Sequence, residues 1–336
     1  MKAYSRIAIT GANGLAGSAV VEHLREHNYD VVPMTRKDAD LRDAAQTMRF
    51  FDRVKPEYVF HAAATVYGLG GNMKFQAKSI FENTLVNTNV IQCSYLVGVK
   101  KFIAMGTNAI YPWPPVLPYR EETIFDGRPH DGEAGYGHAK RHMLAMLEAY
   151  KESYGMDYTY LVSGNLFGPH DTFNTETGHV LPSLVKKFYD AAQSPDDVVS
   201  VWGDGSPTRD FLYSRDLARI VRMMLENDTT GAINIGSGDR RSIEYVCKRL
   251  CSISGVDYER VQYDKTKPNG RPDCYADLSK LGALGFHRSL EFGDALKATY
   301  DWYAASQATP PYPPGSSSIL EPWPHAMRPS HQDGLA

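Results

Sequence analysis

The chain has 336 residues, 43% hydrophobic and 22% charged, with a formal net charge of -3. That is the composition of an ordinary soluble globular protein, long enough for one large α/β domain carrying a smaller lobe. The slight acidity sets nucleic acid aside as a partner, and no run approaches the roughly eighteen apolar residues of a membrane span. Cys93, Cys247, Cys251 and Cys274 are too few and too scattered for a disulfide framework. Cys247 and Cys251 fit an amphipathic helix better than a metal site, so a reduced, cytoplasmic protein without a metal is expected.

Arg6 to Thr10 reads as a buried strand, Gly11 to Gly17 as a glycine turn, and Ser18 to Glu26 as a helix. The strand begins so early that no charged-then-apolar leader is expected before it. Glycines three apart at a strand-to-helix junction allow a tight turn and bring a pyrophosphate to the helix N-terminus. Gly11, Asn13, Gly14, Leu15 and Gly17 are therefore the expected dinucleotide cradle, although the spacing is G-x-x-G-x-x-G rather than G-x-G-x-x-G.

A second strand, Asp30 to Met34, ends at Thr35 and Arg36, where NAD-binding chains place a carboxylate for the ribose. A guanidinium there suits a 2′-phosphate, which favours NADPH/NADP+; Asp40 and Leu41 are placed beside the same cofactor. Tyr58 to Ala64 reads as a third strand whose small end residues, Ala62, Ala63 and Ala64, let backbone approach the cofactor, while His61 is read as packing. Ile80 to Val97 has helical spacing and Lys101 to Gly106 is a further strand. Thr107, Asn108 and Ala109 follow at its C-terminal end, the edge where open α/β sheets hold ligands.

Tyr136 and Lys140, four apart, share one helix face. A cation beside a phenol stabilises phenolate, so the Tyr136 pKa is expected to fall toward the working range of a general acid. Thr107 and Tyr136 could then hydrogen-bond one carbonyl oxygen. Further on, Lys186, Lys187 and Arg209 make a plausible anion site in a net-acidic chain. Gly231 to Gly236 reads as a late strand and Arg240 to Ile253 as a helix.

The fold expected is α/β: a Rossmann-like, doubly wound parallel sheet with a smaller C-terminal α/β substrate lobe. Residues 1–170 form mainly the dinucleotide domain, with later segments returning to it, and 171–306 mainly the lobe. Seven prolines between Thr309 and Ala336 make 307–336 an extended or disordered tail, strapped by Trp323.

Five stretches carry a resemblance: Gly106 to Pro112, Tyr136 to Lys140, Asn165 to Phe173, His179 to Leu184, and Val201 to Leu212. Together the chain resembles the extended short-chain dehydrogenase/reductases and, within them, the GDP-L-fucose synthase family, over about residues 6 to 305. The resemblance implies Tyr136 as general acid, Lys140 as its electrostatic and ribose-binding partner, and Thr107 in place of the serine that orients the substrate oxygen. It implies that Asn165, Leu166 and Phe167 line the nicotinamide, and that Lys187, Trp202, Arg209 and Asp277 hold a GDP-sugar, with Asn108 and Asn165 also on the substrate side. A homodimer built from about Ile80 to Val97 and Tyr136 to Tyr154 is implied as well.

That family epimerises C3 and C5 with a cysteine and histidine pair before reducing C4. His179 matches the histidine, placed at both the catalytic and the cofactor side, but Ala109 stands where the cysteine belongs. A methyl group cannot carry a proton. The first expectation is thus an NADPH-dependent C4-keto reductase, the second a bifunctional 3,5-epimerase/4-reductase. The third is a catalytically silent NADP(H)-binding sensor or scaffold, against which Thr107, Tyr136 and Lys140 together speak.

Overall fold

Apolar β-rich runs alternate with amphipathic helices through the first half, and all but the second of these runs, Asp30–Met34 at the sheet edge, bury nearly their whole length, as strands covered on both faces must. In the computed structural model, which describes residues 5–175, 178–267, 269 and 273–308, these are β1 (Arg6–Thr10), α1 (Leu15–Glu26), β2 (Asp30–Met34), α2 (Ala44–Val54), β3 (Tyr58–His61), α3 (Leu69–Lys74), α4 (Gln76–Leu96), β4 (Lys101–Met105), α5 (Ala134–Tyr154) and β5 (Asp157–Ser163). There follow β6 (Asn165–Phe167), α6 (Val180–Gln193), β7 (Val199–Trp202), β8 (Thr208–Tyr213), α7 (Ser214–Glu226), β9 (Gly231–Ile235), β10 (Arg240–Ser242), α8 (Ile243–Ser254), β11 (Val261–Asp264), β12 (Asp273–Cys274), α9 (Ser279–Ala283) and α10 (Phe292–Ala308). The proline-rich stretch from 309 onward, with Trp323, lies outside the described residues.

Six strands form one parallel sheet in the order β2-β1-β3-β4-β5-β9. One face is covered by α2, α4 and α5 through Phe50, Phe51, Val90, Ile91, Met143 and Leu144. The other face is covered by α1 and α7 through Val20, Leu24, Leu217 and Val221. This is the doubly wound Rossmann-like architecture, and its order reverses between β1 and β3, where such sheets open a crevice at their C-terminal ends. A second assembly pairs β10-β8-β12, with β6 beside β8 and β7 beside β11. Its own core gathers Phe167, Phe188, Phe211, Val246, Leu250 and Leu296 from the sheet, α6, α8 and α10.

Three elements differ from the sequence expectation. Helix α1 begins at Leu15, not Ser18, because Gly14 caps it in extended conformation and Gly17 falls inside the first turn. The helix expected over Arg240 to Ile253 is divided: Arg240–Ser242 pairs antiparallel with β8, and Ser242 accepts the Tyr245 N–H at 3.1 Å to start α8. The third strand stops at His61, so Ala62, Ala63 and Ala64 leave the sheet.

Candidate active site

The crevice begins at the glycine turn. Gly11 sits at φ +67°, and a Cβ there would meet the Ala63 backbone nitrogen at 2.8 Å; a Cβ on Gly17 would run into the Gly11 carbonyl. Only hydrogen fits, so β1, the Ala62–Ala63 segment and the first turn of α1 approach backbone to backbone. The α1 N-terminus has no side-chain cap and no acidic residue in its first turn. It therefore offers free N–H groups and the positive end of the helix dipole to an anion, the fit a dinucleotide pyrophosphate requires.

Arg36 is exposed in the turn after β2. The carboxylates beside it have other duties: Asp38 Oδ2 accepts the Thr35 N–H and hydroxyl, both at 2.8 Å, and Asp40 is forked by Arg42 at 2.8 and 3.0 Å. Both are engaged within their own loop, and the exposed Arg36 guanidinium suits a 2′-phosphate. Leu41 is half-buried, and its carbonyl accepts Asn89 Nδ2 at 2.9 Å.

At the end of β4, Thr107 Oγ1 accepts the Ala109 N–H at 3.2 Å, leaving its own hydroxyl hydrogen to donate. Tyr136 and Lys140 rise from α5 and are almost wholly buried. Lys140 Nζ donates to the Met105 carbonyl at 2.8 Å and lies 5.8 Å from the Tyr136 ring centroid. The expected lowering of the phenol pKa is not what the protein alone produces. Burial, and secondarily Glu133, raises Tyr136, because the ammonium faces the ring and a carbonyl and not the phenol oxygen. Burial also pulls Lys140 down to about 7.

A buried polar chain that the sequence did not suggest fixes this arrangement. Asn87 Nδ2 donates to the Ala139 carbonyl at 3.2 Å, so Asn87 Oδ1 must accept from His61 Nε2–H at 3.1 Å. His61 Nδ1 then accepts the Thr10 hydroxyl at 2.7 Å, and Thr10 Oγ1 accepts the Ala63 N–H at 3.2 Å. His61 is neutral, pushed down to about 3 by burial and next by Lys140. The chain joins the cofactor-side loop to the turn of α5 that carries Lys140, and every link is satisfied.

His179 caps α6 in extended conformation without a side-chain bond to the helix. Its surroundings lower its pKa by desolvation, while Glu133 opposes that shift. Glu133, the residue that caps the start of α5, also raises Tyr136, second to burial; the sequence did not single it out. Asn108 is half-buried, with Nδ2 facing the β5–β6 junction beside Gly164 and Asn165. Ala109 is 3% exposed, its carbonyl pressed against α5 at Gly137. Leu166 packs with the α1/α7 core. Phe167 must be corrected: its ring is buried among Phe211, Tyr213 and Phe292, so it cannot line a nicotinamide with its side chain.

The lobe residues are looser. Lys187 Nζ donates to the Ser200 carbonyl at 2.7 Å, which brings α6 beside β7, where Trp202 is 55% exposed. Arg209, on β8, donates to the Thr208 carbonyl at 2.7 Å. Asp277 pairs with Arg120 at 2.9 Å and caps Ser279, so its carboxylate is engaged within the protein.

A glycine cradle at a sheet switch point, with a buried tyrosine and lysine one helical turn apart, defines a dinucleotide-binding α/β protein. The description NAD dependent epimerase/dehydratase family matches residues 7–236. The chain belongs to that family and, within it, to the GDP-L-fucose synthase family of sequences. It is 35% identical to GDP-L-fucose synthase 1 of Arabidopsis thaliana, across 89% of this chain and 93% of that one. Among solved structures it resembles a GDP-mannoheptose C4 reductase from Campylobacter jejuni with NADP bound, at 32% identity and TM-score 0.81, covering 90% and 99% of the two chains. A GDP-6-OMe-4-keto-L-xylo-heptose reductase from C. jejuni is similar at 30% identity and TM-score 0.84, covering 91% and 99%.

Proposed function

We propose that the chain is an NADPH-dependent reductase acting on the C4 carbonyl of a GDP-linked 4-keto sugar, without epimerising C3 or C5. One observation carries this reading: Thr107, Tyr136 and Lys140 are complete, while the buried Ala109 occupies the epimerisation cysteine's place. The bound dinucleotide supplies hydride to the carbonyl carbon. Burial keeps the Tyr136 phenol protonated, which suits it to hand a proton to the alkoxide. Lys140, buried nearby, offsets the phenolate left behind, and the Thr107 hydroxyl donates to the same oxygen. The C4 reductases among the structural relatives support this over a synthase. The retained His179, with Glu133 near it, supports the second reading, a bifunctional 3,5-epimerase/4-reductase.

A homodimer fits the outer faces of α4 and α5. Ile80, Phe81, Leu96 and Tyr154 are exposed there, and Tyr95, Tyr150 and Tyr154 cluster with centroids 4.4 to 5.6 Å apart. All four cysteines are free, which suits a reducing cytoplasm, and no described helix is long and apolar enough to cross a membrane. The decisive experiment is reduction of GDP-4-keto-6-deoxymannose with NADPH in deuterated water. Product with no deuterium at C3 or C5 is expected; deuterium at both carbons returns the protein to the bifunctional reading.

A further inference from the structure

Far from the catalytic groups, at the C-terminal end of α1, His23 and His27 stand four residues apart on one helix face with ring centroids 4.3 Å apart. Glu26 Oε2 lies 3.8 Å from His23 Nδ1, and one potential ligand atom from each of the three side chains falls within 4.8 Å of the others. We propose that His23, Glu26 and His27 bind one borderline transition-metal ion, of the class of Zn2+, Ni2+ or Cu2+.

Three features favour it. His23 is only 7% exposed, yet neither ring nitrogen has a hydrogen-bond partner, an unusual state for a buried imidazole and one that a metal ion would relieve. His27 Nδ1–H donates to the His23 carbonyl at 2.8 Å, which fixes its tautomer and leaves the Nε2 lone pair free. That is the outer hydrogen bond that metal-bound histidines ordinarily make. Last, the cluster stands at the C-terminal end of α1, the negative pole of the helix dipole, where a cation is favoured.

Two imidazoles and one carboxylate suit ions of borderline softness, not Mg2+ or Ca2+, which take oxygen ligands. Metal–ligand bonds of about 2.0–2.2 Å need the three atoms to close slightly, a movement open to the exposed Glu26 side chain. The charged groups facing the site from α7 are Arg215, bonded to both Glu26 oxygens at 3.0 and 3.1 Å, and Arg222, bonded to Glu226 at 3.0 Å. The ion competes with Arg215 for Glu26.

The test titrates the full chain, freed of metal, with ZnCl2, NiCl2 and CuCl2 under calorimetry, with thermal melting as a second readout. One ion per chain should bind and raise the melting temperature. His27→Ala, at the helix end, should weaken binding about 10–100-fold and leave reductase turnover unchanged. Arg215→Gln should strengthen binding, since it frees the carboxylate. His23→Gln should act like His27→Ala; if it fails to fold, the other two variants still decide. No binding of any of the three ions by the wild-type chain, or equal affinity in wild type, His27→Ala and Arg215→Gln, overturns the proposal.

Discussion

The two halves of the crevice are built differently. On the sheet side, Tyr136, Lys140, His61 and Asn87 are buried; Lys140 is bonded to the Met105 carbonyl, and His61 and Asn87 are bonded to each other and through Asn87 to the Ala139 carbonyl. In the lobe, Lys187 and Arg209 rest on the neighbouring Ser200 and Thr208 carbonyls, Asp277 is paired with Arg120, and Trp202 projects into solvent. On the reading proposed above, the groups that would act chemically are already in place, whereas the charged lobe residues would have to leave internal partners to meet a ligand. Preorganised groups act on the transition state and recruited ones on binding, so the two sides should separate in kcat and KM.

The largest effect expected is from Tyr136→Phe. It keeps the buried ring and removes the transferable proton, so turnover should fall about 10²–10⁴-fold while NADPH binding and the melting temperature stay near wild type. Unchanged kcat would erase the assignment of this side as the chemical one. On the lobe side, Lys187→Ala should raise KM for the GDP-sugar by about tenfold or more, as loss of a charge-assisted contact does, with kcat within about twofold. A fall in kcat at constant KM would show the lobe to be as preorganised as the sheet. Asn87→Leu breaks the polar chain, orphaning the buried His61 Nε2–H, and should cost about 1–3 kcal/mol in denaturant melts. Stability equal to wild type would mean that the chain is not what fixes α5.

The last test concerns pH. Burial lowers Lys140 to about 7 from an ordinary value of 10.5, so above pH 7 the unfolded chain binds the extra proton that the folded chain has lost. Stability should therefore rise from about pH 7 toward 10.5, and the burial penalty should be fully present below 7. Lys140→Met should flatten this rise and melt above wild type at pH 6. A slope that survives the substitution would move its origin to other groups.

Much of the sheet side was legible because its signals are local. Apolar runs, glycine spacing and the four-residue interval from Tyr136 to Lys140 each encode their geometry in adjacent residues. The departures came where partners lie far along the chain. Arg240–Ser242 became a strand because β8, some thirty residues earlier, offered an open edge, and Phe167 turned into the lobe's core because Phe211 and Phe292 wait there.

The sequence by itself determined the parallel α/β order, the glycine cradle, the four-residue interval from Tyr136 to Lys140 and the alanine at 109, since each is a matter of residue type and interval. Tertiary structure alone decided the state of those groups. Whether a phenol is more or less acidic than normal depends on burial against the placement of one charge. Folding buried Tyr136 and turned the Lys140 ammonium to the Met105 carbonyl, so desolvation prevailed. It also closed the Thr10, His61 and Asn87 chain across residues up to 77 positions apart in sequence, from Thr10 to Asn87, and left His23 without a hydrogen-bond partner, because such pairings exist only once distant strands and helices meet.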